Sequence, residues 1–200
     1  MVGWDDRYSA PGYLFGTEPA DFVRRQASLI APADRVLALA DGEGRNSVFV
    51  AGLGAIVTAM DASPVALDKA RALAVERGVA VDFRLADIDG WRWEEAAYDV
   101  VLAVFIQFAP PEQRARVFAG MAQSLRPGGI LLLHGYAPRQ VGYGTGGPAN
   151  PDHMYTLPML AEAFAGFDIL VARDHDAEVA EGRGHSGRSA LIDFVARKPG

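Results

Sequence analysis

Arg35-Val-Leu-Ala-Leu-Ala40 runs directly into Asp41-Gly-Glu-Gly-Arg-Asn46, and this stretch decides the fold. Its first half is a short apolar run of strand character and its second half is a glycine turn. Gly42 and Gly44 permit a tight turn and a close approach of backbone to a ligand. The helix expected from Glu43 to Leu53 presents unpaired N–H groups at its start. A strand that enters such a turn and leaves as a helix opens an α/β sheet, whose ligands lie at the carboxyl ends of the strands.

Outward from this point the same alternation continues. Further β-rich runs occur at Ala55 to Met60, Ala80 to Leu85, Tyr98 to Val104, Ile130 to His134, Phe167 to Ala172 and Ser189 to Ala196. Helix-like stretches at Ser63 to Arg77, Pro111 to Leu125 and Leu157 to Phe164 separate them, and Glu18 to Ile30 precedes the first strand. Ser63-Pro64 is a cap followed by a first-turn proline, and Gly78 is a stop. Near-continuous apolar strands such as Val100 to Phe105 imply a parallel sheet covered on both faces. The last two runs are joined by a segment too poor in helix signals for a crossover, so they are expected to pair as an antiparallel hairpin. Gly142 to Pro151, dense in Gly, Pro and Asn, reads as part of a loop spanning 136–156 over the active face.

The chain has 200 residues, half of them hydrophobic, with 19 Lys+Arg against 25 Asp+Glu and a formal net charge of -6. With about 150 residues to a typical domain, a single domain spanning 1–200 is expected. The acidic balance opposes binding to nucleic acid or an anionic membrane. With no cysteine there are no disulfides or thiolate metal sites. No apolar run approaches the roughly 20 residues that span a bilayer, and Met1 to Tyr8 lacks a basic start and an apolar signal core. A cytoplasmic protein is the expectation.

Asp61 stands nineteen positions beyond Gly42 at the end of the second strand, placed to accept two ribose hydroxyls. Asp87 closes the third strand region; its carboxylate suits an adenine amino group and the Ile88 amide a ring nitrogen. The competing reading of Asp87 is the cap of a short helix through Trp91, a role that falls more readily to Asp89.

At this point a resemblance is visible. Ala40-Asp-Gly-Glu-Gly-Arg-Asn46, followed by Ala59-Met-Asp61 and Ala86-Asp87-Ile88, resembles the class I S-adenosylmethionine-dependent methyltransferases, and more narrowly the bacterial group related to tellurite-resistance methyltransferases. Trp4-Asp-Asp-Arg-Tyr8 with Phe15-Gly-Thr-Glu-Pro19, Leu125-Arg-Pro-Gly-Gly129, and Glu181-Gly-Arg-Gly-His185-Ser-Gly-Arg188 are similar to that group as well. The resemblance implies a Rossmann-like methyltransferase fold: a seven-stranded, mostly parallel sheet in the order 3-2-1-4-5-7-6, last strand antiparallel, with helices on both faces. It implies S-adenosyl-L-methionine as cofactor and S-adenosyl-L-homocysteine as product. The backbone of Ala40 and Gly42 would lie near the methionine moiety, with Asp41, Gly44 and Asn46 in the same loop. Asp61 would bind the ribose, Asp87 and Ile88 the adenine, and Val104 and Phe105 the cofactor's flank, with Met60, Ala62 and Ile88 walling the adenine. The family commonly has an acid where this chain has Ala38 and glycine where it has Ala40; Asp41 is the residue able to supply the lost carboxylate.

The charge pattern agrees with that donor. A dinucleotide's phosphates prefer a third glycine and no carboxylate beside the loop, whereas a sulfonium and an ammonium are drawn to acidic walls. An NAD-linked oxidoreductase shares the glycine turn and distal acid and remains the first rival. A non-catalytic S-adenosylmethionine-binding module is the second.

The acceptor is expected to be a small molecule. A hydroxyl or amine acceptor needs a base, while an ionised thiol or chalcogen species needs little or none, and the resemblance favours the latter. Of four histidines, His185 in the Gly-rich turn before the last strand is the candidate catalytic residue, with His134 second; none stands beside an obvious orienting carboxylate. If His185 acts as base, the rate should rise through a pKa of roughly 6.5. Metal binding is not expected, since no histidine pair has ligand spacing. Residues 1–17 form a possible aromatic lid carrying Trp4, Tyr8, Tyr13 and Phe15. Gln107, Phe108, Tyr136, Tyr143 and Tyr155 are candidate acceptor walls, and the chain is taken as a monomer or homodimer.

Overall fold

A computed structural model describes residues 3–200 of the chain; Met1 and Val2, the start of the expected arm, lie outside the described residues. Seven strands, β1 (Arg35–Leu39), β2 (Ile56–Asp61), β3 (Asp82–Leu85), β4 (Tyr98–Val104), β5 (Leu125–Tyr136), β6 (Asp168–Glu181) and β7 (His185–Arg197), form one sheet in the order 3-2-1-4-5-7-6. β1 to β5 pair in parallel, and β7 runs antiparallel to both β5 and β6. The helices are α1 (Trp4–Tyr8), α2 (Asp21–Arg25), α3 (Arg45–Gly52), α4 (Pro64–Arg77), α5 (Pro111–Ser124) and α6 (Leu157–Ala163).

The continuous apolar strands follow from burial on both faces. Leu37, Leu39, Val101, Ala103, Leu131 and Leu133 meet Phe118 and Met121 of α5 and Leu160 of α6 on one side. Their sequence neighbours Val36, Ala38, Val100, Leu102 and Leu132 meet Phe22 and Val23 of α2 and Val50 of α3 on the other. Because strand side chains alternate, one run feeds two cores. α4 is fixed at both ends as its sequence indicates: the Ser63 hydroxyl accepts from the Ala66 amide at 3.1 Å, and Gly78 takes the left-handed conformation (φ +66°).

Several boundaries differ from expectation. The helix expected over Glu18 to Ile30 is only α2 plus a 3-10 turn at Ala27–Leu29, because Gln26 (φ -97°, ψ 5°) leaves the helical region. α3 starts at Arg45 because Gly44 is its left-handed N-cap. The largest difference is the final hairpin. The segment between the last two expected strands is itself paired, from Asp176 opposite Ala190 to Glu181 opposite His185. Its alternating charges mimic a loop, yet they make cross-strand partners such as Arg188 and Asp176 at 3.1 Å. The 136–156 loop turns onto β7: the Ala190 amide donates to the Gln140 side chain at 2.8 Å, and the Thr145 hydroxyl donates to the Arg188 carbonyl at 2.5 Å. It does not line the cavity described next.

Candidate active site

The carboxyl end of β1 is built from backbone conformations that side chains resist. Ala40 has φ +43°, Gly42 +61° and Gly44 +87°. A Cβ on Gly42 would lie 2.8 Å from the Tyr8 hydroxyl, and one on Gly44 would lie 2.7 Å from the Ala70 Cβ. Glycine is therefore required twice, once under the N-terminal segment and once where α3 meets α4. The turn also ties β1 to β2: the Gly42 and Ser63 amides each donate to Asp61 at 2.8 Å.

Around this turn lies a cavity of about 270 Å³. It collects Ala40, Asp41, Gly42, Asn46, Asp61, Ala62, Asp87, Ile88, Val104, Phe105, Trp4, Tyr8, Phe15, Phe108 and His185, all singled out from the sequence. Other candidates stand elsewhere. Gly44 lies behind the loop against α4. The Tyr13 hydroxyl donates to the Lys69 carbonyl at 3.3 Å. Gln107 does not wall an acceptor pocket; its side chain bonds both backbone groups of Tyr136 and staples the end of β4 to that of β5. Tyr136 is buried behind Phe105, its hydroxyl without a partner. Tyr155 belongs to the core and Tyr143 bonds Asp176. The cap of the 3-10 turn Ile88–Gly90 is Asp87, which accepts from the Asp89 amide at 2.9 Å, rather than Asp89.

The charges of this cavity are poorly compensated. Burial pushes the Asp41 carboxyl up to about 7, with the Ser47 hydroxyl bond and Arg45 opposing and Asp61 reinforcing. Burial also raises Asp61, against amide bonds from Ser63, Gly42 and Ala62. Arg45, which sequence reading passed over, lines the cavity but is engaged by the Phe15 carbonyl at 3.1 Å and by Glu181 at 2.8 Å. Its position beside Gly44 was a usable signal; the distant Glu181 was not.

The N-terminal segment closes one wall. Trp4 stacks on Tyr8 at 5.6 Å, Tyr8 meets Phe15 edge-on at 6.3 Å, and the Phe15 ring lies 4.3 Å from that of His185. Lys69 pins the segment by donating to the carbonyls of Ala10 and Gly12 and to Glu43. His185 opens β7 rather than sitting in a turn, with its ring 4.1 Å from Phe105 and its Nδ1 without a partner. Burial, then the fields of Arg45, His134 and Arg7, push its pKa down to about 3. The imidazole is neutral throughout the physiological range, so a histidine limb near pH 6.5 is not expected.

A second cavity, of about 700 Å³, lies between the α2 segment and β6, and its walls include Arg25, His134 and His175. The fully buried Asp193 accepts from Arg25 at 3.0 and 3.1 Å and bonds His134 Nδ1 at 2.8 Å and His175 Nε2 at 3.1 Å. Two histidines therefore do have a carboxylate partner, contrary to expectation. The register of β5 on β7 places His134 opposite Asp193, a pairing invisible in the linear sequence. Among the described residues no group of three or more His, Cys, Asp or Glu could hold a metal ion, and no helix is long and apolar enough to cross a membrane.

Comparison with known proteins agrees with this geometry. Residues 36–129 match the family model described as a methyltransferase domain. The chain is 35% identical over 130 residues to a ribosomal protein L11 methyltransferase of Symbiobacterium thermophilum, covering 62% of this chain and 41% of that protein. The sheet order and the glycine turn are those of a methyltransferase fold, and the matched stretch, residues 36–129, is similar to a methyltransferase domain. The fold is shared with a protein solved in connection with the conversion of a disulfide bond into a thioacetal group during echinomycin biosynthesis (TM-score 0.77, 19% identity, 98% of this chain and 88% of that one). It is shared also with TehB from Haemophilus influenzae (TM-score 0.72, 21% identity, 88% of this chain and 61% of that one). The chain spans only 41% to 58% of the length of the curated relatives it matches.

Proposed function

We propose that residues 1–200 form one methyltransferase domain that binds S-adenosylmethionine in the 270 Å³ cavity and passes its methyl group to a small soft nucleophile, a thiol or chalcogen anion. The observation that carries the reading is a pair of carboxylates, the half-buried Asp41 and the buried Asp61, whose proton affinity is raised beside a backbone cradle that a Cβ at Gly42 would fill. Such a wall attracts a cation and repels a pyrophosphate, which disfavours the NAD-linked alternative.

In this reading the backbone of Ala40 and Gly42, with Asp41 and Asn46, borders the methionine end. Asp61 accepts the ribose hydroxyls with the lone pairs that the amides of Gly42 and Ser63 leave free. Asp87 and the Ile88 amide address the adenine, with Ala62 and Ile88 as apolar walls and Val104 and Phe105 along the flank. Bound there, the donor supplies a methyl group already activated by its positive sulfur. The protein's part is alignment and exclusion of water, and holding two reactants in a near-attack geometry contributes up to about 7–11 kcal/mol. Trp4, Tyr8 and Phe15 serve as the lid of the site. His185, neutral and clasped between Phe15 and Phe105, shapes the acceptor side and is too weak a base to take a proton from a hydroxyl efficiently. An acceptor that is already an anion suits this wall.

Calorimetry with S-adenosylmethionine, S-adenosylhomocysteine and NADH tests the donor: binding of NADH alone would defeat the proposal. Donor consumption measured against thiols, chalcogen oxyanions, amines and phenols tests the acceptor. Turnover confined to amines or phenols would defeat the soft-anion assignment, and donor binding with no turnover across the panel would favour a non-catalytic module.

A further inference from the structure

The donor cavity holds two acids that are not equivalent. Asp61 accepts from two backbone amides at 2.8 Å, those of Gly42 and Ser63, one on each carboxylate oxygen. Asp41 is held by Ser47 alone, through its hydroxyl and amide. The groups packed around it add little positive charge. Asp61 on β2 and Glu43 in the loop are acids, and the Tyr8 hydroxyl of α1 is uncharged. Arg45 of α3 is bound to Glu181 and the Phe15 carbonyl, and Lys69 of α4 is bound to Glu43. Asp41 nevertheless lines the cavity, one residue past the strained Ala40. A half-buried carboxylate drawn out of water here, with one hydroxyl-bearing partner and no cation paired to it among the described residues, is stabilised by either a ligand cation or a proton.

Resting on the donor assignment above, we propose that Asp41 is a proton-linked selector of the donor: protonated in the free protein, ionised beside the cationic donor. Donor binding then expels a proton to solvent. Methyl transfer removes the sulfonium charge and leaves the product's ammonium and carboxylate in place, so Asp41 faces one positive charge fewer, takes a proton back, and holds the product less tightly than the donor. Burial, which pushes the group up to about 7, sets the range in which the device works. Because the donor binds the ionised form, its affinity should rise about tenfold between pH 6 and pH 8, and that of S-adenosylhomocysteine by less.

Two measurements test this separately from the donor assignment. In the free protein, carbon NMR of aspartate side chains should show one carboxyl titrating near pH 7 that is missing in Asp41→Asn. Ser47→Ala, which removes the hydrogen bond favouring the anion, should move that titration upward and serves as a second variant should Asp41→Asn fold poorly. Absence of such a titration overturns the inference whether or not any donor binds. Calorimetry at pH 6.5 in buffers of different ionisation enthalpy should then show release of most of a proton per donor bound. That release should vanish in Asp41→Asn, which retains the shape of the site and its bond to Ser47. Release that survives in Asp41→Asn, or equal pH slopes for donor and product, overturns it. Failure of the donor to bind wild-type protein that does show the titration would instead strike the functional assignment.

Discussion

Asp193 within β7 and Asp41 after β1 are carboxylates of one sheet, the first fully buried and the second half-buried, and they have opposite electrostatics. Asp193 is held by one guanidinium and two imidazoles, and the His134 and Arg25 contacts carry its pKa well below the usual carboxylate range in spite of burial. Asp41 has Ser47 and no cation of its own, and burial carries it up. Desolvation disfavours the charge of both. What separates an internally completed network from a place that invites a ligand is whether the protein itself supplies the counter-charge. The second cavity is therefore lined by a network whose charges are already matched, whereas the first is lined by charges that are not.

The strongest way to break this comparison is to remove Asp193. Asp193→Ala leaves Arg25, His134 and His175 around an empty acceptor position, and breaking a buried pair from one side costs about 3–5 kcal/mol. Urea unfolding at pH 7 should show a loss of that size. Because the folded pKa is depressed, the contribution is fully present above the ordinary carboxylate range and fades as pH falls through the folded pKa; the deficit should shrink in acid. A loss under about 1 kcal/mol would mean that the network contributes no more than an exposed pair.

Asp61→Asn sharpens the comparison from the other side. Loss of charge-assisted bonds worth about 1.5–3 kcal/mol each should weaken donor binding roughly 10- to 1000-fold, while stability falls by less, because the Asn amide nitrogen leaves only one of the Gly42 and Ser63 amides without an acceptor. If stability falls as much as affinity, Asp61 belongs with Asp193 as a structural carboxylate.

Asp41→Asn should do the reverse of Asp193→Ala and stabilise the protein. A raised folded pKa means the folded state binds the extra proton between the unfolded value, about 4, and about 7. Stability is therefore lost as pH rises through that window. The shift sets an upper limit of about 4 kcal/mol at pH 8, and local relaxation should leave a gain of about 1–2 kcal/mol for the uncharged variant. At pH 4 the two proteins should unfold alike. An Asp41→Asn protein that is less stable at pH 8 would show that the ionised carboxylate is satisfied within the fold.

How much of this was legible in the sequence follows the same division between local and distant information. The glycine turn, Asp61 and Asp87 are set by short-range strand and turn signals, and the cavity does bring them together. The Ser63 cap and Gly78 stop of α4 were equally readable. What was missed depends on contacts between remote segments. The clasp of Arg45 by Glu181 and the His134–Asp193 pair exist only because β7 folds back on β5 and β6. The charged outer half of the β6–β7 hairpin read as a loop because its partners lie on the opposite strand. Gln107 read as a pocket wall because nothing local reveals that it bonds the Tyr136 backbone.

The smallest expected effect concerns His185 and applies the same rule to a base. A carboxylate without a counter-charge gains a proton; an imidazole enclosed by aromatic rings and facing Arg45 loses one. With its pKa pushed down to about 3, the ring is neutral over any ordinary assay range. A general base contributes typically 100- to 10,000-fold, most when its pKa lies near the working pH, a condition this ring does not meet. His185→Asn should therefore lower turnover of a thiol by less than about tenfold, with donor affinity unchanged. The pH–rate profile of both proteins should follow the ionisation of the acceptor thiol rather than a histidine. Two acceptor thiols of different acidity make the check decisive, because the profile should move with the thiol. A profile that stays fixed when the thiol is changed, together with a loss above 100-fold in His185→Asn, would make His185 a catalytic base. It would also show that an unmatched group in this cavity keeps its charge chemistry after all.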